Sequence, residues 1–436
     1  PEGMVESCME FLRICVAENF TDVVISIKAS NTVVMVKTVR LLVDVMEKEG
    51  MAFPLHLGVT EAGDGEDGRI KSALGIGALL SDGLGDTIRV SLSEAPEAEI
   101  PVARKLVDYV LLRQEHPYIP GLEAPEFNYL SPERRKTKAV RNIGGEHVPV
   151  VIADRMDGKT EVNPQFTPDY IYAGRALPEQ REEGVEYILD ADVWQGEAGT
   201  WPAFNHAQLP LMGECDAALK FLFISYMAQT DEVIACLKYH PEVVIISQSN
   251  HPNRLGEHRA LVHQLMTEGL QNPVVFFQHY AEDDAENLQI KSAADMGALI
   301  FDGLCDGIFL FNQGSLSHAV VDATAFGILQ AGRTRTSKTE YISCPGCGRT
   351  LYDLEKTIAR IKAATSHLKG LKIGIMGCIV NGPGEMADAD YGYVGAGRGK
   401  ISLYKGKVCV EKNIPEEEAV ERLLEFIRAD REENQK

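Results

Sequence analysis

Positive charge is what this chain is short of: 43 Lys and Arg stand against 64 Asp and Glu, for a formal net charge of -21. A surface of that sign repels phosphodiester backbones and anionic lipid, which excludes nucleic-acid or membrane binding as the main role. An anionic substrate must therefore meet a local basic pocket. No run of about 18 apolar residues is present to span a bilayer, and no charged-then-apolar leader opens the chain. Dense cysteine spacing is missing too. The nine cysteines are odd in number and scattered from Cys8 to Cys409, as expected of free thiols in a soluble, reducing compartment rather than of a disulfide scaffold. With 45% hydrophobic and 25% charged residues the composition is globular throughout.

A length of 436 residues exceeds what one hydrophobic core serves, and the pattern divides it into three. Residues 1–112 open on a helical stretch, Pro1–Ala17. Strands and amphipathic helices then alternate: Val23–Ile27 and Thr32–Glu49, Pro54–Val59 and Lys71–Ser81, Thr87–Val90 and Glu99–Leu112. That alternation predicts parallel strands of an α/β barrel. Three units cannot close one, so the chain is expected to start mid-fold, with about five units upstream.

A polar, Pro- and Arg-rich connection, His116–Lys138, leads into a second series from 113 to 335. Its predicted strands are Val148–Ala153, Tyr170–Ala173, Tyr187–Leu189, Phe221–Tyr226, Val243–Ser247, Val274–Gln278 and Ile308–Phe311, near a barrel's full count. One stretch repeats. Lys71-Ser72-Ala73, Gly77-Ala78-Leu79 and Asp82-Gly83-Leu84 recur at the same spacing as Lys291-Ser292-Ala293, Gly297-Ala298-Leu299 and Asp302-Gly303-Leu304. The middle domain thus reads as a duplicate barrel inserted after the first. Arg89 and Ser91 correspond to Phe309 and Phe311 in the copy, so the copy is expected to be a non-catalytic spacer or scaffold. Residues 336–436 form an αβ domain, with helix Leu354–Thr365, strands Lys372–Met376 and Lys407–Val410, and helix Pro415–Asp430. The Gly392–Gly399 stretch lacks the Lys-Ser or Lys-Thr of a phosphate loop and is expected to be a turn.

Chemistry concentrates in two places. Cys344-Pro345-Gly346-Cys347 is followed by Cys378 and then by Asn381-Gly382-Pro383-Gly384-Glu385. Two thiolates three apart on a Gly/Pro turn, with a third at a strand end, can face one metal centre. Structural zinc closes with a fourth Cys or His, and none is placed for it. Three thiolates suit a [4Fe-4S] cluster with one exchangeable iron ligand, for which Glu385 is the candidate. A redox dithiol or half of a zinc site also fits Cys344 and Cys347 on spacing alone. In the first domain, Lys28 and Ser30 follow one predicted strand, His56 lies on the next with Glu61 at its end, and Arg89 and Ser91 end the third. Cations and hydroxyls converging at strand ends could hold a diphosphate, with Glu61 as acid or base beside them. His251, His258 and His263 read as structural.

The runs Ser343–Thr350 and Gly377–Glu385 resemble the cluster domain of the 4-hydroxy-3-methylbut-2-enyl diphosphate synthase family. Ser26–Ser30, His56–Gly63 and Arg89–Leu92 resemble the late strands of that family's catalytic barrel, and the insertion resembles its three-domain form in plants and some bacteria. The resemblance implies a partial TIM-type barrel, an inserted TIM-like barrel and a carboxy-terminal αβ iron-sulfur domain like those of sulfite and nitrite reductases. It implies reductive ring opening and dehydroxylation of 2-C-methyl-erythritol 2,4-cyclodiphosphate in the methylerythritol phosphate pathway of isoprenoid biosynthesis. Electrons would come from ferredoxin or flavodoxin, in a cytoplasmic homodimer or, in a plant, the plastid stroma. Cys344, Cys347, Cys378 and Glu385 would hold the cluster, with Lys28, Ser30, His56, Arg89, Ser91 and Asn381 on the substrate and Glu61 supplying a proton. The family's early-strand arginines and asparagine have no counterpart, so the chain by itself is expected to be inactive. The rival to an enzyme is a zinc-stabilised scaffold that binds a protein partner.

Overall fold

The computed structural model describes residues 1–159, 161–350 and 352–434. The chain divides into two compact units, one of Pro1–Leu106 with Thr336–Lys436, the other of Val107–Arg335. The two ends of the sequence therefore build one unit, and the middle builds another.

In the first unit the amino-terminal segment comprises α1 (Glu2–Ala17), α2 (Thr32–Lys48), β1 (His56–Gly58), α3 (Gly65–Ser81), β2 (Thr87–Arg89) and the start of α4 (Glu99–Leu111). Helix α2 begins where the Asn31 side chain accepts the Val34 N–H, and buries Met35, Val39, Leu42 and Met46 along one stripe. Strands β1 and β2 pair in parallel, with His56 opposite Thr87 and Gly58 opposite Arg89. The strand expected at Val23–Ile27 does not form. This stretch meets β1's row at one isolated bridge, Ile25 with Leu55, with a second just beyond it, Ala29 with Val59, and Val24 stays exposed. Those bridges suffice to bring Lys28 alongside Gly58.

The second unit is a closed parallel barrel of β3 (Val150–Asp154), β4 (Tyr170–Gly174), β5 (Glu186–Asp190), β6 (Thr200–Asn205), β7 (Lys220–Ile224), β8 (Val243–Ser247), β9 (Val274–Tyr280) and β10 (Gly307–Asn312). Its helices are α5 (Leu209–Glu214), α6 (Asp231–Tyr239), α7 (Arg254–Thr267), α8 (Ala285–Phe301) and α9 (His318–Ala331). Strand β6 has no counterpart in the sequence reading. Pro202 at its centre has no N–H for a ladder, which hides it from a pattern search, yet barrel closure gives it β5 and β7 as neighbours.

The repeated stretch takes the same form in both units. Helices α3 and α8 each run 17 residues and stop at Asp82 and Asp302, followed by Gly83 (φ 79°) and Gly303 (φ 71°). Asp82 binds Arg40 of α2 at 2.7 Å, and Asp302 binds Arg259 of α7 at 2.8 Å. Asp86 accepts the Leu55 N–H at 2.8 Å, as Asp306 accepts that of Val274 at 3.1 Å.

The carboxy-terminal segment of the first unit carries a five-stranded sheet of β11 (Glu340–Ser343), β12 (Lys372–Met376), β13 (Tyr391–Gly397), β14 (Lys400–Lys405) and β15 (Val408–Pro415), in that order. Helices α10 (Leu354–Thr365) and α12 (Glu416–Asn434) complete its apolar core, with the short α11 (Gly382–Glu385) between β12 and β13. The stretch expected to be a turn at Gly392–Gly399 is mostly strand β13. Its glycines clear space instead of bending the chain: a Cβ at Gly392 would lie 2.4 Å from Met386 Cε, and one at Gly395 2.3 Å from the Gly377 carbonyl oxygen. Among the described residues no helix is long and apolar enough to cross a membrane.

Candidate functional site

Strands β11 and β12 lie parallel with Ser343 opposite Ile375, so the loops leaving their carboxyl ends start side by side. One loop is Cys344–Cys347 and the other begins Gly377-Cys378. The first turns at Gly346, whose φ of +78° suits a residue without a side chain. The Gly377 N–H points at Cys344 Sγ at 3.1 Å, and the Arg349 N–H at Cys347 Sγ at 3.4 Å. Burial pushes the Cys344 thiol above its ordinary range, whereas the Arg349 N–H and guanidinium pull Cys347 below it. Beyond Cys378 the Asn381 carbonyl accepts the N–H groups of Gly384 and Glu385, each at 3.0 Å, and this turn fixes where Glu385 starts.

The amino-terminal segment reaches the same loops within the unit. Ala62 bridges Ser343 in parallel, and the Ser93 hydroxyl contacts the Ser343 carbonyl at 3.0 Å and its hydroxyl at 2.8 Å. Glu61 is thereby seated near Cys344, in a left-handed conformation (φ 53°) that a non-glycine residue rarely takes. Burial, then hydrogen bonding and repulsion from Glu385, push the Glu61 carboxyl up to about 9. Thr60 donates to Glu61 Oε1 at 3.2 Å, and Oε2 is buried.

A cavity of about 220 Å³ joins these parts, lined by Glu61, Arg89, Cys344, Cys347, Cys378, Asn381 and Glu385 together with Thr60 and Arg349. Of the residues singled out from sequence, those first seven meet in it. Lys28, Ser30, His56 and Ser91 stand outside its lining, and of these Ser30 and Ser91 touch its members. Ser91 accepts a hydrogen bond from Arg89 Nη2 at 3.1 Å, and the Ser30 hydroxyl reaches the Glu385 carbonyl at 3.5 Å. The Lys28 stem crosses Gly58, where a Cβ would come within 2.6 Å of Lys28 Cε. Burial and the neighbouring Arg89 lower the Lys28 ammonium, and burial with Lys28 and Arg89 lowers His56, whose Nδ1 lies 2.7 Å from the Thr87 hydroxyl. Two groups whose positive charge is disfavoured beside Arg89 mark a place suited to an anion.

Thr60 and Arg349 were not singled out from sequence, although each adjoins a residue that was. A cation two residues after Cys347 is the signal that could have pointed to Arg349. Among the described residues no three His, Cys, Asp or Glu side chains are placed to hold a single ion; the sulfur donors share a cavity without closing on one point.

Residues 1–104 match the family model described as GcpE TIM-barrel domain, and residues 340–429 that described as GcpE protein C-terminal domain. Proteins named 4-hydroxy-3-methylbut-2-en-1-yl diphosphate synthase (flavodoxin) are similar along nearly the whole chain. That of Bacteroides thetaiotaomicron is 94% identical over 99% of this chain and 71% of its own length. Those of Bacteroides fragilis and Phocaeicola vulgatus are 83% and 78% identical over 98% of this chain, and 68% and 70% of their own lengths. The insertion is included in those alignments, so the likeness does not rest on the cysteine motif alone. The chain belongs to the 4-hydroxy-3-methylbut-2-en-1-yl diphosphate synthase family and is an oxidoreductase.

Proposed function

We propose that the first unit carries a [4Fe-4S] cluster on Cys344, Cys347, Cys378 and Glu385 and takes part in the reductive opening of 2-C-methyl-erythritol 2,4-cyclodiphosphate to 4-hydroxy-3-methylbut-2-enyl diphosphate. The observation that carries this reading is the shared cavity, in which three cysteines, a buried carboxyl and an arginine meet in one small space. The donor set fits the group. Backbone N–H groups aimed at Cys344 and Cys347 Sγ are the hydrogen bonds that stabilise thiolates on iron, and a cluster relaxes the single-point convergence an isolated ion requires because each thiolate takes a different iron. When bound, such a cluster passes electrons one at a time, and the relatives' name points to flavodoxin as their source.

The remaining work falls to side chains. Lys28 and Arg89 neutralise the diphosphate, His56 donates a hydrogen bond to it, and Ser91 holds Arg89 in position. Glu61, buried at the cavity wall, hands a proton to the departing hydroxyl, which leaves as water. Asn381 borders the same space and offers an amide to a substrate oxygen. Two electrons and two protons enter, one ring C–O bond breaks and one water leaves. The middle barrel has Phe309 and Phe311 where the first segment has Arg89 and Ser91, which supports a scaffold role without this chemistry. A cytoplasmic setting suits a reaction fed by a soluble electron carrier.

Anaerobic titration with the cyclodiphosphate tests the anion clamp. Lys28→Met and Arg89→Met should each weaken binding by about tenfold or more. Glu61→Gln should retain binding, and any turnover the chain supports should fall by about a hundredfold. Unchanged affinity in both cation variants would sink the assignment.

A further inference from the structure

The geometry points to a second binding site, in the mouth of the middle barrel, for a small organic cation: an ammonium group carried on an apolar or aromatic body. This inference does not rest on the reductase reading. All eight strands deliver a lining residue to a cavity of about 470 Å³, seven of them at or just past their carboxyl ends and β9 through Phe277 at its middle, within the range typical of small-molecule sites. That end of a parallel barrel is where such folds bind ligands.

The floor is aromatic. Tyr172 lies 5.6 Å from Phe223 and 5.8 Å from Phe309, and Phe277 lies 4.9 Å from Phe309 and 5.9 Å from Phe311, the last pair nearly stacked. Beneath them Ile152, Tyr170 and Phe221 are fully buried, as a packed barrel requires. Tyr172, Phe223, Phe277 and Phe311 are only half-buried, so ring surface faces the cavity at the centre of the barrel. A barrel serving only as a spacer would gain by covering those rings.

Acid stands above the aromatic floor. Asp190 ends β5 and accepts the Tyr172 hydroxyl at 2.6 Å, and Asp192 follows two residues on. Arg175 is the one cation among the described residues lining the cavity. Its Nη1 sits 2.9 Å from Asp192 and 3.9 Å from Asp190, with the side chain 66% exposed. One guanidinium against two carboxylates leaves the rim negative, and so solvated a pair is weak enough for a ligand to displace. Exposed aromatic surface below and carboxylates above select the same partner, a cation that is apolar elsewhere, and the carboxylates repel phosphate or carboxylate ligands.

The test is calorimetric titration of the full chain at low salt with benzyltrimethylammonium chloride, with benzyl alcohol as the uncharged control. Saturable one-to-one binding of the cation alone is expected, weakened about tenfold in Phe311→Leu and in Asp192→Asn. Arg175→Gln should tighten it about two- to fivefold by removing the competing guanidinium, a gain that a misfolded variant cannot mimic. Absence of saturable binding, equal binding of both probes, or weaker binding in Arg175→Gln overturns the inference.

Discussion

Replacing Lys338 by methionine should loosen the first unit while keeping its volume. Lys338 Nζ lies 2.6 Å from Glu66 and 2.7 Å from Asp67, and the Lys338 and Asp67 side chains keep only 13% and 17% of their surface. Lys362 with Asp64 and Lys71 with Glu340 flank the group, so this ionic row fastens α3 to the residues around β11, two strand-ends from the cysteine loop. Burial alone would raise the Asp67 carboxyl. Lys338, then Lys71 and Lys362, outweigh it and hold that carboxyl below its usual range. Removing one partner of a buried pair costs about 3–5 kcal/mol, reduced here to about 2–3 kcal/mol because two cations and some solvent remain. For a unit of this size that lowers the melting temperature by about 4–12 °C in the transition belonging to the first unit. Asp67→Asn in the same background should recover at least half of the loss, since it removes the stranded charge. The pH dependence follows in sign: a carboxyl lowered by folding contributes stability above its unfolded value and loses it as pH falls through the folded one. The gap between wild type and Lys338→Met should therefore narrow below about pH 4. A loss under about 0.5 kcal/mol, or no recovery in the double variant, would refute the reasoning.

Two other consequences are accessible. Gly58→Ala should push the Lys28 stem off its seat and raise Kd for the cyclodiphosphate by about tenfold in anaerobic titration; an unchanged Kd would show that Lys28 does not grip the substrate. In the second unit, burial and then Arg254 push His258 down to about 3, and its Nδ1 lies 2.7 Å from the Ser247 hydroxyl. An unfolded histidine takes up a proton near pH 6.5, so stability should fall by up to about 1.4 kcal/mol per pH unit between there and about pH 3, and His258→Gln should flatten that slope in denaturant titrations.

The cysteine motif was legible because thiolates at short spacing have few other uses, and the middle barrel because seven of its eight strands are apolar runs between helices. What stayed hidden depended on neighbours remote in sequence. Strand β6 reads as a loop around Pro202 until β5 and β7 flank it. Val23–Ile27 has the composition of a strand and lacks a continuous partner. Gly392 and Gly395 look like a turn because nothing local reveals the Met386 side chain and the Gly377 carbonyl pressed against them. Thr60 and Arg349 joined the site through where their loops lead, and the pairing of Ala62 with Ser343, nearly three hundred residues apart, was invisible in the pattern. The repeat extends two residues beyond the quoted match, to Asp86 and Asp306, whose carboxylates take equivalent backbone N–H groups.

The most direct test of the central claim is iron and acid-labile sulfide analysis, with an absorption spectrum, of the anaerobically purified chain and of Cys347→Ala, whose thiol is exposed and contributes little packing. About four irons and four sulfides with broad visible absorption, lost in the variant, is the predicted result. A colourless protein holding one zinc would contradict it and leave the scaffold reading in its place.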